Sequence, residues 1–262
     1  MLKHRVIPAL LLRNSGLVKT TKFKSPKYVG DPINAIRIFN EKEVDELMVL
    51  DITATKERRE PNYKLIEEFA GECFMPLTYG GGVRSIEQAT RIFSLGVEKI
   101  CLQTAALQNP TLVTELAQRF GCQSVVVSID LKRNWFGKSQ LYLASEGKTC
   151  SAPWMEVMMG MVIAGAGEVL LNAVDKDGTL SGPDLGIIRE AGLALSVPLI
   201  AMGGVASLSD IKAVVEAGAS AVAAGAYFVY QGPHRAVLIT YPRYQELESL
   251  FTGSSMKKKN MH

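Results

Sequence analysis

Cysteine is scarce and scattered. The four cysteines of this 262-residue chain, Cys73, Cys101, Cys122 and Cys150, form no CxxC pair. Zinc-ligand spacing is therefore absent, a disulfide framework is not expected in a chain this long, and the four read as buried small hydrophobes. Long apolar runs are missing too. The greasiest stretch, 157–167, falls short of the ~18 residues that a membrane span needs. Met1-Leu2-Lys3-His4-Arg5 has no apolar segment behind it, so no signal peptide is expected and the chain reads as soluble and cytoplasmic. Neither sign of charge dominates: 29 basic and 26 acidic residues leave +3. Part of that excess is Lys257-Lys258-Lys259, in a tail at 253–262 expected to be disordered and solvated. A nucleic-acid surface would need a dense basic stripe, and none is visible. With 47% hydrophobic and 21% charged residues, the composition excludes a disordered chain.

Glycine, by contrast, is plentiful at 23 residues, and glycine marks turns where backbone approaches a ligand. Short apolar runs recur at 6–12, 47–51, 75–79, 99–102, 125–130, 169–172, 198–201 and 221–224. Amphipathic stretches such as 86–95, 112–120, 187–195 and 208–216 lie between them. Ser85 and Ser207 suit helix N-caps, and Pro110 and Pro153 suit a first turn. Strands without alternation fit a parallel sheet buried on both faces. Eight of them in about 250 residues match an α/β fold of the (βα)8 barrel type, although a doubly wound open sheet would have the same elements.

An internal repeat favours the barrel. Gly82-Val83-Arg84-Ser85-Ile86 resembles Gly204-Val205-Ala206-Ser207-Leu208, a shift of 122 residues that also carries Gly96 onto Gly218, Glu46 onto Glu168 and Thr104 onto Ala226. We expect one barrel over 1–252, built from half-barrels at 1–121 and 122–252 that meet near Gly121. The one long irregular excursion, 134–149, is expected to form a small hairpin over the barrel mouth.

In such barrels the site lies at the C-terminal strand ends. Asp51, Gly80-Gly81-Gly82, Gln103-Thr104, Asp130, Asp177-Gly178-Thr179, Gly203-Gly204 and Ala224-Gly225 all fall there. Glycines before a helix start leave N–H groups free to cradle phosphate. Their repetition once per half suggests a substrate with a phosphate at each end.

Four of these runs carry a family resemblance: Asp45 to Ala54, Gly80-Gly81-Gly82-Val83, Ser124 to Arg133, and Asp177-Gly178-Thr179. Together they resemble HisF, the cyclase subunit of imidazole glycerol phosphate synthase, over Arg5 to about Phe251. The resemblance implies ammonia supplied by a HisH glutaminase and a bis-phosphorylated ribulosyl carboxamide nucleotide as acceptor. It implies no metal or redox cofactor. Gly82, Gln103 and Thr104 would hold one phosphate; Asp177, Gly178, Thr179, Gly203, Gly204, Ala224 and Gly225 would hold the other. Lys19 would reach over the substrate, with Asp130 and Asp51 in the catalytic set. Arg5, Glu46, Lys99 and Glu168 match the family's charged gate at the barrel bottom, and Glu98 and Gln123 its glutaminase-docking face.

The chain also departs from the pattern. The family's first catalytic aspartate should stand at position 11, which here is Leu11. Ser15-Gly16 differs from the usual glycine and polar residue, and Gln103 replaces an asparagine. A leucine exchanges no proton, and losing one positioned acid or base costs on the order of 10²–10⁴ in rate. Three roles stay open: a histidine-pathway cyclase; a HisF-like paralogue channelling ammonia, with a glutaminase and an amidotransferase, for acetamidino modification of a surface-polysaccharide sugar; and a scaffold that holds the glutaminase active. A HisA-type isomerase fits less well, since it uses two strand-end aspartates and needs no ammonia gate.

Overall fold

Runs such as Val125-Val126-Val127 and Leu199-Ile200-Ala201 combine β-branched and aliphatic side chains with no polar face, and each becomes a central strand. The computed structural model describes residues 4–259, with side chains as far as Thr252. Its strands are β1 (Arg5–Arg13), β2 (Leu47–Asp51), β3 (Leu77–Gly80), β4 (Lys99–Leu102), β5 (Val125–Arg133), β6 (Glu168–Ala173), β7 (Leu199–Met202) and β8 (Ala221–Ala224). Each pairs in parallel with the next, β8 pairs with β1, and β5 pairs with β6, so the sheet closes on itself. This is a (βα)8 barrel. No helix among the described residues is long and apolar enough to cross a membrane.

Helices cover the outside of the ring. Ser85 and Ser207 cap two of them, their hydroxyls accepting the N–H of Gln88 and of Asp210. Pro110 opens the helix Pro110–Phe120, whereas Pro153 stands one residue earlier, in the cap position before Trp154–Ala164. The last helix runs over Tyr244–Lys259. Of the expected disordered tail, the side chains of 253–259 and the whole of 260–262 lie outside the described residues.

The strands alternate after all, but between two apolar surroundings. Val6, Leu10 and Leu12 of β1 face the helices, while Ile7 and Ala9 join Met48, Cys101, Val126, Leu170, Ile200, Ala221 and Ala223 in the bore. On the β8 side the bore is lined by the small side chains of Ala221 and Ala223. Cys101 is buried as expected and Cys73 and Cys150 are half-buried, but Cys122 is exposed beside the N-terminal end of β5. It sits in a single 3₁₀ turn, Cys122–Ser124, too short to bury it.

Residues 134–149 do form a hairpin: β5 runs on past the barrel rim and pairs antiparallel with Ser139–Leu143, which pairs with Lys148–Cys150. A second excursion was not expected. β1 also overruns the rim and folds back as Gly16–Thr21 and Lys24–Gly30. Its turns are two residues long, with Asn14 and Ser15 at φ 50° and 65° and Lys22 and Phe23 at φ 53° and 60°. Both therefore have the left-handed pair of a primed hairpin turn. The two excursions stand at matching places in the two halves of the ring.

Candidate active site

At the N-terminal end of the bore four charges form a closed ring. Arg5 donates to Glu46 at 2.5 Å and to Glu168 at 3.0 Å. Lys99 Nζ lies 3.1 Å from each of the same carboxylates, and Thr78 Oγ1 donates to Glu46 Oε1 at 2.9 Å. Each residue opens or precedes a strand, so the fold delivers all four to one level. Signs alternate around the ring, so every charge has two opposite neighbours. That arrangement offsets much of the desolvation that a single buried ion would suffer. Outside it, Glu98 accepts the N–H of Leu77 at 2.7 Å and Gln123 is exposed after Gly121. Three large apolar side chains stand on the same face with almost no cover: Phe74 (88% exposed), Ile163 (84%) and Leu193 (91%).

At the C-terminal end lies a cavity of about 180 Å³. Asp130, on β5, is its chemical centre. The carboxylate accepts from Ser128 Oγ at 3.0 Å and from Gln103 Nε2 at 2.7 Å, with Asn172 as a further side-chain donor. Burial nevertheless outweighs these donors and pushes the carboxyl up to about 7, with Asp177 adding repulsion. A carboxyl poised there takes or gives a proton near neutral pH.

The register identifies what stands opposite. Asp130 pairs with Asn172 across β5 and β6; in the other half Leu11 pairs with Leu50 across β1 and β2. Since Glu46 and Glu168 occupy corresponding places at the bottoms of β2 and β6, Leu50 corresponds to Asn172 and Leu11 to Asp130. At this level the β5–β6 pair is thus polar and the β1–β2 pair apolar, and Leu11 is 6% exposed.

Lys19 lies on the unexpected hairpin and is buried at 5% exposure. It does not reach over the cavity. Its Nζ donates to the Ala9 carbonyl at 2.5 Å and lies so close to Gly225 that a Cβ there would come within 2.4 Å of it. Desolvation lowers the amine to about 8, against the attraction of Asp177. Asp177 accepts from Thr20 Oγ1 at 2.8 Å, and its backbone carbonyl accepts the N–H of Lys22 at 2.9 Å. Burial raises its pKa. As an acceptor that ties the hairpin down, it offers phosphate no hydrogen. Asp51 is similarly engaged: Oδ1 accepts from Thr53 N, Thr53 Oγ1 and Ala54 N, and Oδ2 faces Arg59 at 3.5 Å. It fastens the loop after β2.

Of the expected phosphate groups, Gly82, Gln103 and Thr104 line the cavity, with Thr55 and Lys56 beside them. Gly178, Thr179, Gly203, Gly204, Ala224 and Gly225 do not line it; they stand at the ends of β6, β7 and β8. Gly204 O accepts from Gly182 N at 2.9 Å, and Thr179 Oγ1 donates to Lys176 O at 2.7 Å. Gly81 and Gly203 show why the glycines repeat. Both have positive φ, 118° and 106°, and a Cβ would meet the carbonyl oxygen of Asp51 at 2.4 Å and of Ala173 at 2.7 Å. Only glycine fits against the neighbouring strand end at either place.

Sequence reasoning missed Ser128, Asn172, Leu50, Met202 and Phe23, all of which line the cavity. Ser128 stands two residues before Asp130, and that period-2 spacing inside an apolar strand was its available signal. Phe23 comes from the tip of the β1 hairpin and packs edge-on against Tyr142, ring centroids 5.9 Å apart.

Comparison with known proteins agrees with this architecture. Residues 5–234 match the family described as "Histidine biosynthesis protein". A Pseudomonas aeruginosa protein provisionally named imidazole glycerol phosphate synthase subunit hisF2 is 50% identical over 249 residues, covering 95% of this chain and 99% of the relative. A Leptospira borgpetersenii protein provisionally named as the HisF subunit is 47% identical over 253 residues, 96% of this chain and all of the relative. The imidazole glycerol phosphate synthase subunit HisF of Streptococcus sanguinis is 38% identical over 232 residues, 88% and 92% of the two chains. The chain belongs to the HisF family of imidazole glycerol phosphate synthase subunits, as a diverged paralogue.

Proposed function

We propose that this barrel accepts ammonia at its N-terminal face from a HisH-like glutaminase and passes it along the bore to a bis-phosphorylated acceptor at the C-terminal face. The carrying observation is the closed ring of Arg5, Glu46, Lys99 and Glu168 beneath an apolar barrel interior. An ion-pair layer alone would explain the pairing, but its place at one end of a bore, with Asp130 at the other, fits a gate. Phe74, Ile163 and Leu193 supply the apolar contact that a partner around the gate would bury, with Glu98 and Gln123 as polar rim. Gly82, Gln103 and Thr104 would hold one phosphate; the glycines after β6, β7 and β8, with the Lys19 amine beside Gly225, the other. The corresponding pairs Leu11–Leu50 and Asp130–Asn172 support reading 1–121 and 122–252 as half-barrels.

In this reading Asp130 moves the protons on one side of the acceptor, Lys19 supplies charge, and Asp51 keeps the phosphate loop in place. Imidazole ring closure with loss of the ribotide needs proton transfer on both sides, and Leu11 supplies none. The same leucine favours a second reading, in which the barrel conducts ammonia to a separate amidotransferase acting on a surface-polysaccharide sugar and has little cyclase activity of its own. A scaffold role that activates only the glutaminase would leave the bore unused. Titration of the HisH-like glutaminase of the same organism tests the proposal. It should bind at micromolar concentration or tighter, with increased glutamine hydrolysis, and Leu193→Glu should weaken binding at least ten-fold. No complex by sizing and calorimetry at those concentrations would reject it.

A further inference from the structure

Gln103 makes a contact that the proton chemistry above leaves unused. It follows β4, half-buried, and its Nε2 donates to Asp130 Oδ2 at 2.7 Å and to the Tyr142 carbonyl at 2.9 Å. Neither oxygen carries a hydrogen while Asp130 is ionised, so the group between them must be the NH₂. Both hydrogens of the amide are then committed. Oε1 turns instead toward the Thr104 hydroxyl, 3.4 Å away. One amide thus joins a carboxyl that is 5% exposed to the main chain of the hairpin that extends β5. Arg133 also ties this hairpin down, to Asp175 and Asp184, but at exposed positions.

The bridge responds to the proton on Asp130. A hydrogen bond to an ionised acceptor is roughly twice as strong as a neutral one, so the carboxylate grips Nε2 and the neutral carboxyl holds it less. A proton on Oδ2 itself would point at the NH₂. Gln103 could accept that proton only by turning Oε1 inward, which sets oxygen against the Tyr142 carbonyl and breaks the link. Ser128 Oγ, 3.0 Å from Oδ1, can rotate its hydrogen and suits either state. The other groups near the carboxyl come from several elements. Asp177, after β6, repels its charge and is itself attracted by Lys19. Burial raises the Cys101 thiol on β4 and the Tyr142 phenol, which stay neutral, and Lys132 Nζ lies 5.3 Å over the Tyr142 ring. At this level β1 and β2 contribute Leu11 and Leu50.

We propose that Gln103 is a positioning residue that couples the β5 hairpin to the proton on Asp130. With the hairpin seated, the Tyr142 carbonyl aims the NH₂ at the carboxylate and favours its ionised form. With the hairpin lifted, the donor loses its aim and the carboxyl takes a proton more readily, since such coupling is reciprocal. A ligand that moves the hairpin therefore changes the charge of Asp130. The coupling requires neither ammonia, nor the acceptor, nor either phosphate position, so it and the proposed function can fail separately.

Two signals followed from about pH 5 to 9 test it, a range that spans the Asp130 carboxyl at about 7. One is the Asp130 carboxyl carbon by NMR; the other is amide hydrogen exchange of 139–143, corrected for the intrinsic effect of pH. In the unaltered protein hairpin protection should rise at least about three-fold across the Asp130 midpoint. Asp130→Asn should abolish that rise, which separates it from Lys19, lowered to about 8. Gln103→Asn keeps the amide but is one methylene too short to span both oxygens, and it should lose the rise. Gln103→Leu should also lift the Asp130 midpoint by about half to one pH unit, as loss of one hydrogen bond implies. No rise in the unaltered protein, a rise that survives Gln103→Asn or Asp130→Asn, or a midpoint unmoved in Gln103→Leu would overturn the proposal. A merely structural bridge would lower protection equally at every pH in the Gln103 variants, and that result would overturn it too. The unaltered protein and Gln103→Asn decide even if Gln103→Leu fails to fold.

Discussion

Replacing Glu46 by alanine tests the ring energetically. The carboxylate is 2% exposed at its side chain and receives Arg5 at 2.5 Å, Lys99 at 3.1 Å and Thr78 at 2.9 Å. Removal leaves Glu168 alone against two cations and Thr78 without its acceptor. Breaking a buried pair from one side costs ~3–5 kcal/mol. Arg5 keeps 28% of its side-chain surface and Lys99 15%, so water relieves part of the penalty. We expect the lower end, about 3 kcal/mol. At 2–4 °C per kcal/mol for chains of roughly this size, the melting temperature should fall by about 6–12 °C. Glu46→Gln keeps an acceptor for Thr78 and should fall between Glu46→Ala and the unaltered protein. Urea unfolding at constant pH, with melting curves beside it, measures the loss. A loss below about 1 kcal/mol for Glu46→Ala would show that the ring is a solvated surface cluster and refute its description as a tight gate.

Two buried groups should give the stability opposite slopes with pH. Burial raises the Asp130 carboxyl to about 7 in the fold, against an ordinary 3.8, so between those pH values the native state holds the extra proton. Its contribution is greatest below 3.8 and is lost as pH rises to 7; Asp130→Asn should remove that decline and be more stable by up to a few kcal/mol at pH 8, measured by urea unfolding. Lys19 titrates near 8 against 10.5, so the unfolded chain holds more protons in between and stability should rise over that window; Lys19→Met should abolish the rise. Gly203→Ala places a Cβ 2.7 Å from the Ala173 carbonyl at φ 106° and should destabilise by at least 1–3 kcal/mol, whereas Gly137→Ala, with φ 76° and open space around it, should cost only its backbone strain. Similar losses at the two sites would show that the strand-end contact does not matter.

The barrel was legible because its strands are short apolar runs bounded by glycine turns, and the repeat of Gly82 and Gly204 favoured a closed ring over an open sheet. The β1 hairpin was not. Its two strands, Gly16–Thr21 and Lys24–Gly30, mix apolar and charged residues, and the second is mostly exposed. Asn14-Ser15-Gly16 was its only turn signal. Asp130 stood out as a carboxylate ending an apolar run. Asn172 did not, because an asparagine in Leu170-Leu171-Asn172-Ala173 acquires meaning only from the register that sets it beside Asp130. The position of Lys19 depended on a contact with Gly225, more than 200 residues away in sequence, which no local pattern encodes. Leu11 was visible from the start, but its pairing with Leu50 is what turns a missing aspartate into an apolar wall.

The most direct measurement of the central claim is cyclase turnover with ammonium in excess and the bis-phosphorylated ribulosyl carboxamide nucleotide as acceptor, in the unaltered protein and in Leu11→Asp. A mouth with protons on one side only should bind the nucleotide but turn it over weakly or not at all. Leu11→Asp should raise turnover at least ten-fold while leaving affinity nearly constant, the signature of a restored transition-state interaction. Turnover of about 1–10³ per second in the unaltered protein, with no gain from Leu11→Asp, would contradict it and show that a single carboxyl at Asp130 suffices.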